Sequence, residues 1–301
     1  MNGIIRWIWA GMLILLLFSF PGSIPLFSYS TAHFTQLSSV QKLPVRSIPS
    51  IPYLVSSTQP SLSAGGVIIL DLPSFTPLYE HNAHQSFFPA STAKIITALT
   101  TLTLFSPEDI ITIDKITDEG QLMGLVPGEK MSVENLLYGL LVHSGNDAAY
   151  ALANAKGYDS FIKEMNKIAQ RLQMKDSYFA NPAGLDDVTQ FTSPYDLALA
   201  SRELLRHPLL RNIVSTKEIT ISDVDFTRFH RLSNVNKLLG EIQGLGGLKT
   251  GYTEQAGENL VSFYKKNGHE YLVIILQSED RFSDTKSALL WIEQNIGYTS
   301  S

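Results

Sequence analysis

The chain has 301 residues, 44% hydrophobic and 17% charged, enough to bury a sizeable core in one or two domains. A formal net charge of -5 and a pI near 5.8 argue against a nucleic-acid partner, which needs a basic face. The absence of cysteine excludes disulfides, thiol catalysis and Cys-ligated zinc.

The first element is apolar. After Arg6, "WIWAGMLILLLFSF" (7–20) carries no charge and ends at Pro21-Gly22, the order of an export signal. It is shorter than the roughly 20 residues that span a bilayer, and no clear small-x-small cleavage site follows. Residues 1–22 are therefore expected to be a signal peptide or an N-terminal membrane anchor, with both readings open. Residues 23–63, rich in Pro, Ser and Thr, read as an extended tether.

From residue 64 to 301 a single domain is expected. "GGVIILDL" (65–72) and "TPLYEHNA" (76–83) read as strands of a hairpin around Pro73-Ser74, and 259–277 as two strands around Asn267-Gly268. Apolar residues at three and four spacing predict helices over 91–105, 132–143, 158–174, 193–206 and 283–297, with a further one entered after Ser144. Strands at both ends with helices between and after them predict an α+β fold.

One charge stands out. Lys94 lies in the almost wholly apolar helix 91–105, three residues after Ser91. A buried lysine has to pair or lose its proton, so a depressed pKa is expected, and at i and i+3 a neutral amine reaches the serine hydroxyl. At a helix N-terminus, backbone N–H groups are also available to an oxyanion. The pattern Ser-x-x-Lys alone is weak. It recurs at Ser39/Lys42 in the tether, at Ser262/Lys265 in a strand, at Ser160/Lys163 on a polar helix side and at Ser283/Lys286, where Ser283 reads as a helix N-cap.

Two further motifs follow in order, Ser144-Gly145-Asn146 and Lys249-Thr250-Gly251, the latter on a predicted strand. The series S-x-x-K, S-x-N, K-T-G resembles that of penicillin-binding proteins and class A β-lactamases. "VPGEKMSVENLLYGLLVHSGNDAAYALA", "FANPAGLDD", "NVNKLLG" and "GLKTGYTEQAGENLV" extend the likeness, over roughly residues 64–298, to the low-molecular-weight penicillin-binding proteins that act as serine-type D-alanyl-D-alanine carboxypeptidases. The resemblance implies the β-lactamase/transpeptidase-like fold: an antiparallel sheet with flanking helices on a mostly helical subdomain, the site between them.

It also implies roles. Ser91 would be the nucleophile and Lys94 its base. Ser144 would relay a proton to the leaving amine, and Asn146 would bind the substrate amide or hold Lys94. Lys249 and Thr250 would recognise the terminal carboxylate, Gly251 would leave room for substrate backbone, and the N–H groups of Ser91 and Tyr252 would form the oxyanion hole. No cofactor or metal is implied. The partners would be peptidoglycan stem peptides, with β-lactams as covalent inhibitors, outside the cytoplasm and with any membrane contact through the N-terminal segment. Carboxypeptidase, crosslink-cutting endopeptidase and non-catalytic penicillin sensor remain open. Strand alternation sends Lys249 and Thr250 to opposite faces, which sequence does not reconcile with one site. No Glu-x-x-Leu-Asn loop occurs near "NPAGLDD", so deacylation of lactams by the class A route is not expected. His81 and His84 read as surface histidines, and Asp186-Asp187 as turn and cap residues.

Overall fold

The structure is a computed structural model that describes residues 50–299. The expected signal or anchor at 1–22, and most of the expected tether, lie outside the described residues. Between 50 and 63 the tether expectation is corrected. Strand β1 (Pro52–Leu54) pairs antiparallel with β11 (Ile296–Tyr298), Val55 N–H donates to the Asn295 carbonyl at 2.8 Å, and Trp291 Nε1 donates to the Thr58 carbonyl at 2.6 Å. A run of prolines does not prevent edge pairing, because an edge strand needs only half its amides.

The centre is a five-stranded antiparallel sheet in the order β3-β2-β10-β9-β8. Its members are β2 (Gly66–Asp71), β3 (Thr76–His81), β8 (Leu245–Thr253), β9 (Gly257–Lys266) and β10 (His269–Ser278). Both predicted hairpins form, the second through Asn267 and Gly268, whose φ of 51° and 84° suit a turn that requires two left-handed residues. β2 is apolar at every central position because both faces are covered. Val67 and Ile69 pack with Val273, Ile275 and the closing helix α7 (Arg281–Asn295), while Ile68 and Leu70 pack with Leu272, Ile274 and the helical half. Each such side chain contributes roughly 1.5–3 kcal/mol on burial, more than a typical exposed ion pair.

The helical half surrounds α1 (Lys94–Leu104), preceded by a 3₁₀ turn at Ala90–Ala93. Around it lie α2 (Val133–Leu141), α3 (Asn146–Ala155), α4 (Tyr158–Arg171) and α5 (Pro194–Arg206), with α6 (Pro208–Val214) leading back to the sheet. Threonines are tolerated inside α1 because their hydroxyls return to the preceding turn: Thr100 donates to the Ile96 carbonyl and Thr101 to the Thr97 carbonyl, each at 2.8 Å. Two small ribbons complete the fold, β4 (Ile110–Thr112) with β5 (Lys130–Ser132) and β6 (Glu218–Ser222) with β7 (Phe229–Ser233). The α+β expectation holds. The last helix starts two residues earlier than expected, capped by Asp280, whose Oδ1 accepts from Phe282 and Ser283 N–H at 3.0 Å, rather than by Ser283.

Candidate active site

Ser91 sits in the 3₁₀ turn that opens α1, against the edge strand β8. Two glycines set that contact. A side chain at Gly251 would fall 2.9 Å from Ala90 Cβ and 3.0 Å from Ser91 N, and one at Gly184 would fall 1.8 Å from the Ala90 carbonyl oxygen. Gly251 is therefore required by the approach of the serine turn, a different reason from the room for substrate expected above. Ala90 itself has φ 46°, an uncommon conformation for a residue with a Cβ and one that stores strain next to Ser91. Asn259 of β9 holds the preceding residues, donating from Nδ2 to the Phe88 and Pro89 carbonyls at 3.0 and 3.1 Å while its Oδ1 accepts from Gln277 N–H at 2.8 Å.

Lys94 is fully buried. Its Nζ lies 2.8 Å from Ser91 Oγ, 2.7 Å from Asn146 Oδ1 and 2.7 Å from the Ala183 carbonyl oxygen. Burial lowers its pKa to about 7, against a smaller upward pull from Asp147. The three partners are chemically unequal. Asn146 Oδ1 and the Ala183 carbonyl only accept, so a neutral amine gives both its protons to them, and its lone pair is left facing the one partner that can donate, the Ser91 hydroxyl.

Asn146 opens α3 and its other end is taken: Nδ2 donates to the Glu119 carbonyl at 2.8 Å. Of the two roles considered for Asn146, holding Lys94 is the one its contacts match. The Ala183 carbonyl is aimed by a loop folded around Asn181, whose Oδ1 accepts from Ala183, Gly184 and Leu185 N–H at 3.2, 2.8 and 3.0 Å. This loop presents main chain to the lysine. Of its acids, Asp187 accepts from Thr189 N–H at 2.8 Å, a turn role as expected, whereas Asp186 accepts from the Thr253 hydroxyl at 2.7 Å and so ties the loop to β8 instead of making a turn or cap.

Ser144 has φ 64° and is buried, and its Oγ lies 2.8 Å from Lys249 Nζ. The structure thus joins Ser144 to Lys249, not to Ser91 or Lys94. Lys249, also buried, donates to the Thr250 carbonyl at 2.9 Å, and its pKa is held well below the lysine range by burial, then by the neighbouring charges of Lys94 and Arg281. The alternation problem resolves through the register. Lys249 pairs with Val261, on the helical face, and reaches Ser144, whereas Thr250 pairs with Leu260, on the α7 face, and meets the amine through its backbone carbonyl. Tyr252 follows at the exposed end of the same edge strand.

One residue had no signal in the sequence. Arg281, at the start of α7, donates from Nη1 to the Gly251 carbonyl at 2.6 Å, and its buried Nε has no hydrogen-bond partner among the described residues. It brings a second cation behind the Lys-Thr-Gly strand from thirty positions along the chain, out of reach of any local pattern. His81 and His84 are both exposed, His84 lying 3.4 Å from Asp176.

A serine and a lysine on one turn, a second serine and lysine facing them, and a sheet edge against the serine are the arrangement of the penicillin-binding class of proteins. Residues 54–280 match the D-alanyl-D-alanine carboxypeptidase family, and the chain belongs to it. It is 32% identical over 221 residues to the D-alanyl-D-alanine carboxypeptidase DacF of Bacillus subtilis, a match covering 70% of this chain and 57% of that relative. Among solved structures, a DD-transpeptidase of Streptomyces superposes with a TM-score of 0.74 at 29% identity, covering 78% of this chain and 98% of that one. A penicillin-binding protein of Listeria monocytogenes in its ampicillin-bound form gives 0.69 at 29%, covering 77% and 98%.

Proposed function

We propose that the chain is a serine-type D-alanyl-D-alanine carboxypeptidase acting on peptidoglycan stem peptides outside the cytoplasm. The observation that carries this reading is the placing of Lys94 Nζ 2.8 Å from Ser91 Oγ and 2.7 Å from two acceptor-only partners, which leaves the lone pair of a neutral amine for the Ser91 hydroxyl. Ser91 Oγ attacks the carbonyl between the two D-alanines as its proton passes to Lys94 Nζ. The oxyanion is held by the N–H groups of Ser91 and Tyr252, where one such donor is worth about 3 kcal/mol. The C–N bond then breaks, and the departing D-alanine amine takes a proton from the Ser144 hydroxyl, which Lys249 resupplies. Lys249 regains its proton from the Lys94 ammonium by way of Ser144; Lys94, neutral again, takes a proton from water, whose hydroxyl adds to the ester carbonyl, and hands that proton to Ser91 Oγ as the ester C–O bond breaks.

The cationic end of the site suits a substrate that ends in a carboxylate. Lys249 and Arg281 both have pKa values lowered chiefly by burial, and a carboxylate arriving beside them would offset that desolvation. β-Lactams offer Ser91 a strained amide beside a carboxylate and would acylate it, in keeping with the ampicillin-bound relative. The apolar stretch 7–20 would export the domain and, if retained, anchor it to the membrane.

The test is intact mass of the full chain after mixing with benzylpenicillin, beside Ser91→Ala, followed by D-alanine release from a stem peptide. An adduct on the parent alone, together with released D-alanine, is expected. An adduct on both proteins, or none on a folded parent, would remove the nucleophile assignment, and acylation without peptide turnover would leave a penicillin sensor.

A further inference from the structure

A buried carboxylate next to the base takes no part in the steps above. Asp147 stands on the first turn of α3, directly after Asn146, and is 2% exposed. Its Oδ1 accepts from the N–H groups of Met123 and Ala148, both at 3.0 Å, and its Oδ2 from those of Gly124 at 2.8 Å and Leu125 at 3.0 Å. Both oxygens are filled by N–H donors, the arrangement an anion requires, and no side-chain cation is within ion-pair distance of it among the described residues. An unpaired buried charge is costly, so its retention calls for a use.

Two connections supply one. The first is mechanical. Three consecutive donors come from the segment that also presents the Glu119 carbonyl to Asn146 Nδ2 at 2.8 Å and the Gln121 carbonyl to Asn146 N–H at 2.7 Å. Asp147 fastens this segment to α3, the segment fixes the Asn146 side chain, and Asn146 Oδ1 fixes Lys94 Nζ. The second is electrostatic: Asp147 is the negative charge whose field opposes the desolvation of Lys94.

We propose that Asp147 is a positioning residue of the acylation step, its carboxylate fixing Asn146 and hence Lys94, and its charge favouring the ammonium that Lys94 becomes as it takes the Ser91 proton. The proposal rests on the acyl-transfer reading above. The other ionisable groups around the pair are Lys249 from β8 and Arg281 from α7, both cationic when charged, His143, whose Nε2 lies 3.1 Å from the Leu122 carbonyl, and on the fastened segment Glu119 and Glu129, the latter 2.6 Å from His230 of β7. Glu119 meets Asn146 through its backbone, and the Glu129–His230 pair braces the segment from its far side, His230 Nδ1 lying 3.2 Å from the Met123 carbonyl.

The experiment follows Ser91 acylation of the full chain by a fluorescent penicillin from about pH 5 to about pH 9.5, a range that brackets the lowered lysine. Parent, Asp147→Asn and Asp147→Glu are compared, each with a thermal melt. In the Asn variant the plateau rate is expected to fall about tenfold to hundredfold, as for misplacement of a catalytic group. Its rising limb should move to lower pH, because the charge that favours the ammonium is gone. The Glu variant keeps the charge but not the reach, so its plateau should fall while its limb stays near the parent's. A limb unmoved in Asp147→Asn overturns the electrostatic half, and a parent-like plateau in both variants overturns the positioning half. Should the Asn variant not fold, the Glu variant decides: a parent-like plateau overturns the proposal. A parent that is not acylated at all fails the acyl-transfer reading itself, whereas an acylated parent with indifferent variants fails only this inference.

Discussion

At the residue scale, the site is a problem in placing two amines without their usual counter-ions. Lys94 and Lys249 are both buried and neither makes a salt bridge among the described residues, so burial itself sets their basicity. For Lys94 the sign is definite. The reactive form is the neutral amine, so Ser91 acylation should rise with pH through a limb near 7, the value to which burial brings the lysine. A limb near the ordinary lysine value of about 10.4 would show that another group is the base. The Asn146 contact gives a second, opposite handle. Asn146→Asp would set an anion 2.7 Å from Nζ, favour the ammonium and push the limb to higher pH, whereas Asn146→Ala would lower the plateau about tenfold to hundredfold by freeing the amine. A rate profile of the Asp variant that coincides with the parent's would refute the Asn146–Lys94 coupling. Ser91 and Lys94 were legible because the lysine is the one charge of an apolar helix and the Ser-x-Asn and Lys-Thr-Gly motifs follow in order. Ala183 was not legible, since its contribution is a carbonyl that any residue carries, and only the Asn181-centred loop aims it.

At the element scale, legibility followed length and periodicity. The hairpins β2–β3 and β9–β10 and the helices α1, α2, α4, α5 and α7 were readable because each runs through several repeats of its own period with turn residues at its ends. The ribbons β4–β5 and β6–β7 and the β1–β11 pair were not. Four of these strands span three residues, and β1 pairs with β11 at the other end of the described chain, so their stability is tertiary and leaves no local pattern. The 181–190 loop shows how such non-local packing constrains one residue. Gly184 has φ 84°, and a side chain there would collide with the Ala90 carbonyl at 1.8 Å, the residue that sets the Ser91 turn. Gly184→Ala should therefore lower stability by about 3 kcal/mol or more, from overpacking and left-handed strain together, with loss of penicillin labelling. A variant of parent stability, measured by urea denaturation, would mean that the loop stands further from the serine turn than described.

For the whole molecule, the same buried amines couple the chemistry to folding. An unfolded Lys94 keeps its proton up to about pH 10.4, whereas in the folded protein it releases it near 7. Between those values the unfolded state binds more protons, so this group makes stability rise with pH, by up to about 1.4 kcal/mol per unit. The penalty is fully present below 7 and is lifted as pH climbs toward the unfolded value. Lys249, lowered by burial in the same direction, adds to the slope. The helical core and the two-faced sheet, with their many fully buried side chains, hold this penalty in place. Urea midpoints measured at intervals from about pH 7 to about pH 9.5 should therefore rise more steeply in the parent than in Lys94→Met, which has no proton to release. The variant should also be unable to acylate Ser91, separating the two consequences of one side chain. If parent and variant show the same slope, Lys94 is charged in the folded protein at neutral pH, and the base for Ser91 must be sought elsewhere.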